Sequence, residues 1–464
     1  MQRFKRPGAV ALLAVALCAS IPAFAGKQAT QETDEDPPAS PCTDSVPRLP
    51  WQMFRHDICR TGTGARTLPQ GKVGGTVPLK GTVSSSPAIA LGYGKDGSLG
   101  LIFIAENKSD AAKLRAIQST NGMFLWSADL GENANGTAFP LVSSPALSPD
   151  RKTVYVGTTS GLVFAFDANS GKEIWSFQTT DGTSNNIVVS SPVVSSDGKV
   201  LYISSIGQIA GFLWALDAKT GAEIWKDKDG TAYASPALSP DGKIVYVSSQ
   251  RRISVLAFDA TDGNFLWSSP RLEGTSLYSS PAVSPDGKVL YVGDDKNNVY
   301  AIDATAGGNG KQLWKAPLLP EGSVRSSSAV GVNGFIYVGS TNSNLYKIVA
   351  ANGKLANSFR TGGAILSSPA TTNSGFLVIV GSDDNKVYAI ETLTMNEVWS
   401  VQTKGKVRSS PAIGNLADGG PFLVIVGSDD GVIYVHKVAI DRWVSSQAEA
   451  SLTRYFLIQQ LATG

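Results

Sequence analysis

The stretch AFDANSGKEIW, Ala165 to Trp175, decides how the rest of the chain is read. Its pattern, AxDxxxGxxxW, returns as Ala215 to Trp225 and again as Ala257 to Trp267. Alternating residues up to Phe166 predict a strand, Asp167 to Gly171 a turn, and Glu173 to Phe177 a returning strand. Asp accepts bonds from amides within such a turn, and Gly takes the positive φ that closes it. The Trp then lies flat on the neighbouring copy. A large aromatic buries roughly 150–250 Å², worth on the order of 3 kcal/mol or more at about 25 cal/mol per Å². One copy cannot cover that ring, so the copies must stack.

An inner-strand signature recurs around Pro87, Pro145, Pro192, Pro236, Pro281, Ser328, Pro369 and Pro411, with successive anchors 58, 47, 44, 45, 47, 41 and 42 residues apart. That period suits a four-stranded unit. Each unit runs from a Ser-Pro strand through a strand such as Thr153 to Gly157 and one such as Leu162 to Asp167 to the Trp strand. Trp126, Trp175, Trp225, Trp267, Trp314 and Trp399 occupy the docking position. In the sixth unit Asn357 stands there instead, which predicts the weakest contact between units. The eighth unit has no clear fourth strand, while Val73 to Leu79 is a strand without a unit. Pairing the two removes an exposed edge; Arg442 to Ser446 is the alternative donor. The expected fold is therefore all-β, an eight-bladed β-propeller of four-stranded antiparallel blades closed by an N-terminal strand, over residues 51–440.

The flanks read differently. Residues 1–25 form a signal peptide: Arg3, Lys5 and Arg6 precede the apolar run Ala9 to Ala19, and Ala23-Phe24-Ala25 offers small residues for cleavage. That run is too short to cross a membrane, so the mature chain is expected to be periplasmic or secreted with no transmembrane segment. Cys18 invites lipidation, but Leu17 occupies the position where a small residue is needed. Residues 26–50, with Glu32, Asp34, Glu35, Asp36 and five prolines, read as a disordered acidic, Pro-rich linker. Cys42 and Cys59 are expected to pair as a disulfide in an oxidising compartment, the alternative being two free thiols. Residues 441–464 form a C-terminal tail, helical and amphipathic over Ser446 to Leu461.

Composition narrows the chemistry. Loss of Arg3, Lys5 and Arg6 takes the formal charge from +2 to −1, which gives no reason to expect nucleic acid as partner. His56 and His436 are the two histidines, almost 400 residues apart, so a histidine metal cluster is excluded. Asp294-Asp295, Asp383-Asp384 and Asp429-Asp430 superficially suggest calcium loops, yet each lacks the later bidentate Glu and sits where a hairpin turn is expected. No catalytic, cofactor-binding or metal residue is assigned.

The repeat AxDxxxGxxxW, with its SSPA and VYVG strands, resembles the pyrroloquinoline-quinone-like β-propeller superfamily. The lead-in motif WQMFRHDICRTG, Trp51 to Gly62, is similar to that of its cofactor-free, BamB-like outer-membrane-assembly branch. That branch implies a periplasmic scaffold docking on a protein partner in the cell envelope. The enzymes of the superfamily imply pyrroloquinoline quinone and calcium near the axis, often beneath a pair of adjacent cysteines, which this chain lacks. A non-catalytic scaffold is the first reading. A quinoprotein dehydrogenase of alcohols or sugars and an envelope polysaccharide binder are the alternatives.

Repetition supplies an internal control for a binding face. Three residues before each anchor stand Ser84, Val142, Val189, Tyr233, Tyr278, Arg325, Leu366 and Arg408, at the mouth of the channel. Two Tyr and two Arg break the apolar norm there, and the hairpin turns on the same face add Arg251 and Arg252. Aromatic residues and Arg are favoured at interface hot spots. Tyr233, Tyr278, Arg325, Arg408, Arg251 and Arg252 are thus the candidate binding face, the alternative being that they plug the channel and pair with the acidic turns.

Overall fold

A computed structural model describes residues 63–64 and 70–439, apart from 94–98, 108–111, 120, 132–142, 181, 183–185, 208–210, 231, 373–374 and 416–421. Cys42, Cys59, the alternative donor Arg442 to Ser446 and the expected helix lie outside the described residues. Within them the chain forms eight sheets arranged as the blades of a β-propeller. Blade 2 shows the plan: Ala146–Leu147, Thr153–Gly157, Leu162–Asp167 and Glu173–Gln178 follow one another from the axis outward, each antiparallel to the last.

The repeated motif acts as a clip between blades. Trp126 of blade 1 donates its indole N–H to the carbonyl of Ala168 in blade 2, at 2.9 Å. Trp175 and Trp225 do the same to Ala218 and Ala260, at 3.1 and 3.2 Å. Tyr155 and Tyr202, on the second strands, send their hydroxyls to the same two carbonyls. One carbonyl thus collects an indole and a phenol from the preceding blade. The turn glycine makes room for the ring: a Cβ on Gly171, at φ +70°, would stand 2.5 Å from Trp126. Asp167 holds that turn by accepting from the Ser170 amide and hydroxyl at 2.8 and 2.7 Å.

At the axis the Ser-Ser pairs divide the work. The first member can complete its own blade, as where Ser190 Oγ donates to Ser204 O and accepts from Ser204 N, both at 2.8 Å; blade 4 carries Ala234 at that place, and Ser279 Oγ of blade 5 has no such partner. The second accepts the amide of the corresponding serine one blade earlier. Ser86 N reaches Ser144 Oγ, Ser144 N reaches Ser191 Oγ, and the series runs through Ser235, Ser280, Ser327, Ser368 and Ser410. Ser410 N then reaches Ser86 Oγ at 2.9 Å, so the hydrogen-bonded circle is closed. A short hydroxyl side chain and a free amide at each step are what the serine just before each anchor supplies.

Closure of the outer circle uses the N-terminal strand. Gln70–Pro78 pairs antiparallel with Val432–Ala439, with Thr76 opposite Tyr434, and completes blade 8 as its outermost strand. Blade 7 carries a fifth strand that the repeat pattern does not predict. Thr63–Gly64 runs parallel to Ala370–Thr372, beside the innermost strand of that sheet and at the end away from the mouth.

The other seven outer strands share a β-bulge at the residue before the Trp position: Leu125, Ile174, Ile224, Leu266, Leu313, Ala356 and Val398. A bulge twists a strand and interrupts its free row of amides and carbonyls, which protects an exposed edge from pairing with another chain.

Candidate functional site

The inner strands begin at the mouth, and the described residues three before their anchors stand at that end. In blades 4 to 6 these residues touch one another. The rings of Tyr233 and Tyr278 lie 5.4 Å apart with their planes 31° inclined. The guanidinium of Arg325 rests 4.6 Å from the Tyr278 centroid. Tyr278 is therefore held between a ring and a cation, while Tyr233 keeps 39% of its surface exposed.

Arg408, at the equivalent place in blade 8, is engaged differently. Its Nε and Nη2 donate to the two carboxylate oxygens of Asp383 at 3.0 and 2.9 Å, and Asp429 lies 3.8 Å away. Lys406 adds a second cation to Asp383 at 3.3 Å. Burial pushes the Asp429 carboxyl above its usual range, while the Ser84 hydroxyl and Arg408 pull it back. This sector of the mouth is an ion-paired plug.

Arg251 and Arg252 turn to a third place. Both pair with Asp229 in the loop before blade 4, and Arg252 also lies over the Phe265 ring of the outer strand. The six candidate residues thus fall into three groups: the Tyr233–Tyr278–Arg325 stack, the Arg408 cluster, and the Asp229 pair.

The acidic turns of this face are spent on local bonds. Asp294 accepts from the amides of Lys296 and Asn298 and from the Tyr300 hydroxyl. Asp384 accepts from Gly362 N, Lys386 N and Tyr388 Oη. Asp430 does likewise with Lys404 N, Val432 N and Tyr434 Oη. A calcium ion needs six to eight oxygens turned toward one point. Among the described residues no group of three or more acidic, His or Cys side chains converges in that way. The docking indoles face neighbouring blades, and Trp214 is buried within blade 3 with its N–H on Ser205. The acidic turns and indoles of the described residues do not fit a quinone–calcium pair, because the turn carboxylates already serve amides, hydroxyls and arginines, the docking indoles serve the blade contacts, and Trp214 is buried inside its own blade.

On the opposite face a cleft of about 520 Å³ opens between blades 2 and 3, lined by Asp150, Lys152, Ile174, Asp197 and Lys219. Its carboxylates again belong to turns. Burial works against ionisation of Asp150, but the Ser148 hydroxyl and the Lys152 amide hold its carboxyl below the usual range.

His436 is fully buried in blade 8, 5.8 Å from the Trp399 ring, and neither of its nitrogens has a hydrogen-bond partner. Burial lowers its pKa to about 4. It stands where blades 5, 6 and 7 carry Ile302, Ile348 and Ile390, so it fills the core as a neutral ring.

Comparison with known proteins agrees with this architecture. The family model described as "Outer membrane protein assembly factor BamB" matches residues 70–268, 165–309 and 295–451. No curated protein sequence matches the chain. Among solved structures, a europium-containing methanol dehydrogenase superposes with a TM-score of 0.69 at 13% identity, over 84% of this chain and 98% of that one. Quinohemoprotein alcohol dehydrogenase from Comamonas testosteroni gives 0.66 at 15%, over 84% and 80%. BamB from Moraxella catarrhalis gives 0.60 at 17%, over 79% and 97%. At such identities the likeness shows the fold, which enzymes and an assembly factor share. The family matches together run from residue 70 to residue 451, most of the chain's length, and on that ground the protein belongs to the outer membrane protein assembly factor BamB family of PQQ-like β-propellers.

Proposed function

We propose that the protein is a non-catalytic scaffold of the cell envelope that holds a protein partner at the mouth of its ring. One observation carries this reading. The acidic turns of that face are committed to local bonds and cations, while Tyr233, Tyr278 and Arg325 stand together at the rim with an aromatic surface exposed. Rigid aromatics and Arg at low conformational cost are what protein interfaces use as anchors. The basic, apolar and small-residue pattern of residues 1–25, read as a signal peptide, supports an envelope location, and no helix among the described residues is long and apolar enough to cross a membrane. The disulfide between Cys42 and Cys59 belongs to the same proposal.

A photoreactive residue at position 233 tests it. In intact cells it is expected to crosslink one dominant envelope protein, and Arg325→Glu is expected to abolish that band. Unchanged crosslinking in Arg325→Glu would count against the mouth as the interface. The shared fold with alcohol dehydrogenases keeps a second reading open to experiment. Purified protein mixed with pyrroloquinoline quinone and calcium is expected to show neither cofactor absorbance nor dye reduction with alcohols or sugars.

A further inference from the structure

Arg325 differs from its counterpart in blade 8 in a way that the repeat makes legible. Arg408 is clamped by Asp383 of the blade before it and approached by Asp429 of its own blade. The residues at those two places around Arg325 are Asp295 and Thr341. Asp295 is already taken by the amide and hydroxyl of Thr275. Thr341 is uncharged, and its hydroxyl accepts from Ser323 N at 2.8 Å. Arg325 therefore has no carboxylate partner among the described residues and is steadied by the Tyr278 ring at 4.6 Å. A guanidinium over an aromatic face keeps its donor edge free for a planar anion.

The stack presents two unused surfaces, the outer face of Tyr233 at one end and the donor edge of Arg325 at the other. The two surfaces lie far apart: Tyr233 is 5.4 Å from Tyr278 and Tyr278 is 4.6 Å from Arg325, and a ring laid on the outer face of Tyr233 adds about 5 Å more. In an extended peptide, side chains four residues apart project from one face about 13 Å from each other. The geometry points to a subsite for an extended polypeptide segment with an aromatic residue four positions from an Asp or Glu, its ring on Tyr233 and its carboxylate paired bidentately with Arg325. This rests on the scaffold reading above and specifies the partner chemistry. Bidentate pairing with a preset fork is favourable and selective for the acid over its amide.

The test uses the full mature protein and three blocked pentapeptides, N-acetyl-Phe-Gly-Gly-Gly-Asp-amide, its Asn analogue and its Ala-for-Phe analogue, with binding followed by ligand-observed NMR. Saturable binding of the first is expected, with a tenfold or greater loss for each of the others. Arg325→Gln and Tyr233→Ala should each remove the preference for the acidic aromatic peptide while the thermal midpoint stays that of the parent. Arg325→Lys should retain attraction to the acid but discriminate poorly between Asp and Asn. Equal binding of the three peptides, or a preference unchanged in Arg325→Gln, would overturn the subsite. So would selective binding of an oligoglucuronate in place of the peptide, which would assign the stack to polysaccharide. If the peptides fail while Arg325→Glu still abolishes the crosslink in cells, the partner chemistry is wrong and the scaffold reading stands; if both fail, the mouth is not the interface.

Discussion

The ammonium of Lys347 donates to the carbonyl of Thr392 at 2.6 Å, the bond that an indole N–H makes at the equivalent place between earlier blades. Lys347 lies opposite Asn357, the position that Trp occupies elsewhere, and packs 4.0 Å from the Phe335 ring. Met395 stands where the next blade would carry its turn glycine; it is buried and adopts φ 59°. Three substitutions thus replace one indole: an amine takes the bond, a thioether fills the space, and an amide tops the strand.

Lys347→Ala is expected to cost about 1–3 kcal/mol, since a buried carbonyl loses its donor. Asn357→Trp alone should destabilise by overpacking against Lys347 and Met395. The triple variant Lys347→Ala, Asn357→Trp, Met395→Gly should recover the parent's stability or exceed it. Denaturant melts of the three proteins measure this. Burial holds the Lys347 pKa below 10.5, so the unfolded chain binds more protons. Stability should rise as pH climbs toward 10.5, and the triple variant should lose that slope.

His436 gives a second pH dependence at the closing blade. Its folded pKa is about 4 against 6.5 when exposed, so the unfolded chain takes up the proton first as pH falls. Its contribution is intact above pH 6.5 and is lost between 6.5 and 4, by about 3 kcal/mol in total. His436→Leu should be more stable than the parent throughout, with the gap widening across that interval in urea melts at stepped pH.

The Trp–Gly clip predicts a steric penalty that is conditional on the ring. Gly221 has φ +74°, and an added Cβ would meet Trp175 at 2.6 Å. Gly221→Ala should cost roughly 2 kcal/mol or more through strain and displacement of the indole. In a Trp175→Ala background the same change should cost clearly less, and a double-mutant cycle reports the difference.

Arg408 and Arg325 should part company in stability. Arg408→Gln leaves Asp383, whose side chain is 12% exposed, with Lys406 as its remaining cation, and a loss of about 2–3 kcal/mol is expected. Arg325→Gln removes no ion pair and should stay within about 0.5 kcal/mol of the parent. Calorimetry of the two variants separates a plug from a binding group.

Much of this architecture was readable because the chain repeats. Trp175, Gly171 and Asp167 recur at fixed spacing, and only a stacked β unit needs an indole, a positive φ and a turn acceptor in that order. The eight anchors were countable for the same reason, though the circular bonding of the serines that precede them follows from distances that spacing alone does not contain. Lys347 escaped notice because its role is defined by an absent Trp one strand away. Thr63–Gly64 escaped because two residues of parallel pairing carry no periodicity. At the mouth, position relative to the anchor singled out Arg325 and Arg408 together. Which of them was neutralised depended on acidic residues in adjacent blades, and whether Asp295 was free depended on Thr275.

The joining of Gln70–Pro78 to Val432–Ala439 has a consequence for biogenesis. A chain delivered amino end first must carry an unmated strand until more than 350 further residues have arrived, because its mate is among the last of the described strands to appear. Long-range pairing of that kind is slow, and until it happens Gln70–Pro78 and the outer edge of Val432–Ala439 are both open to foreign strands. Completion of the ring therefore waits on Val432–Ala439, and a product truncated before residue 432 is expected to be cleaved faster by added protease than the full chain.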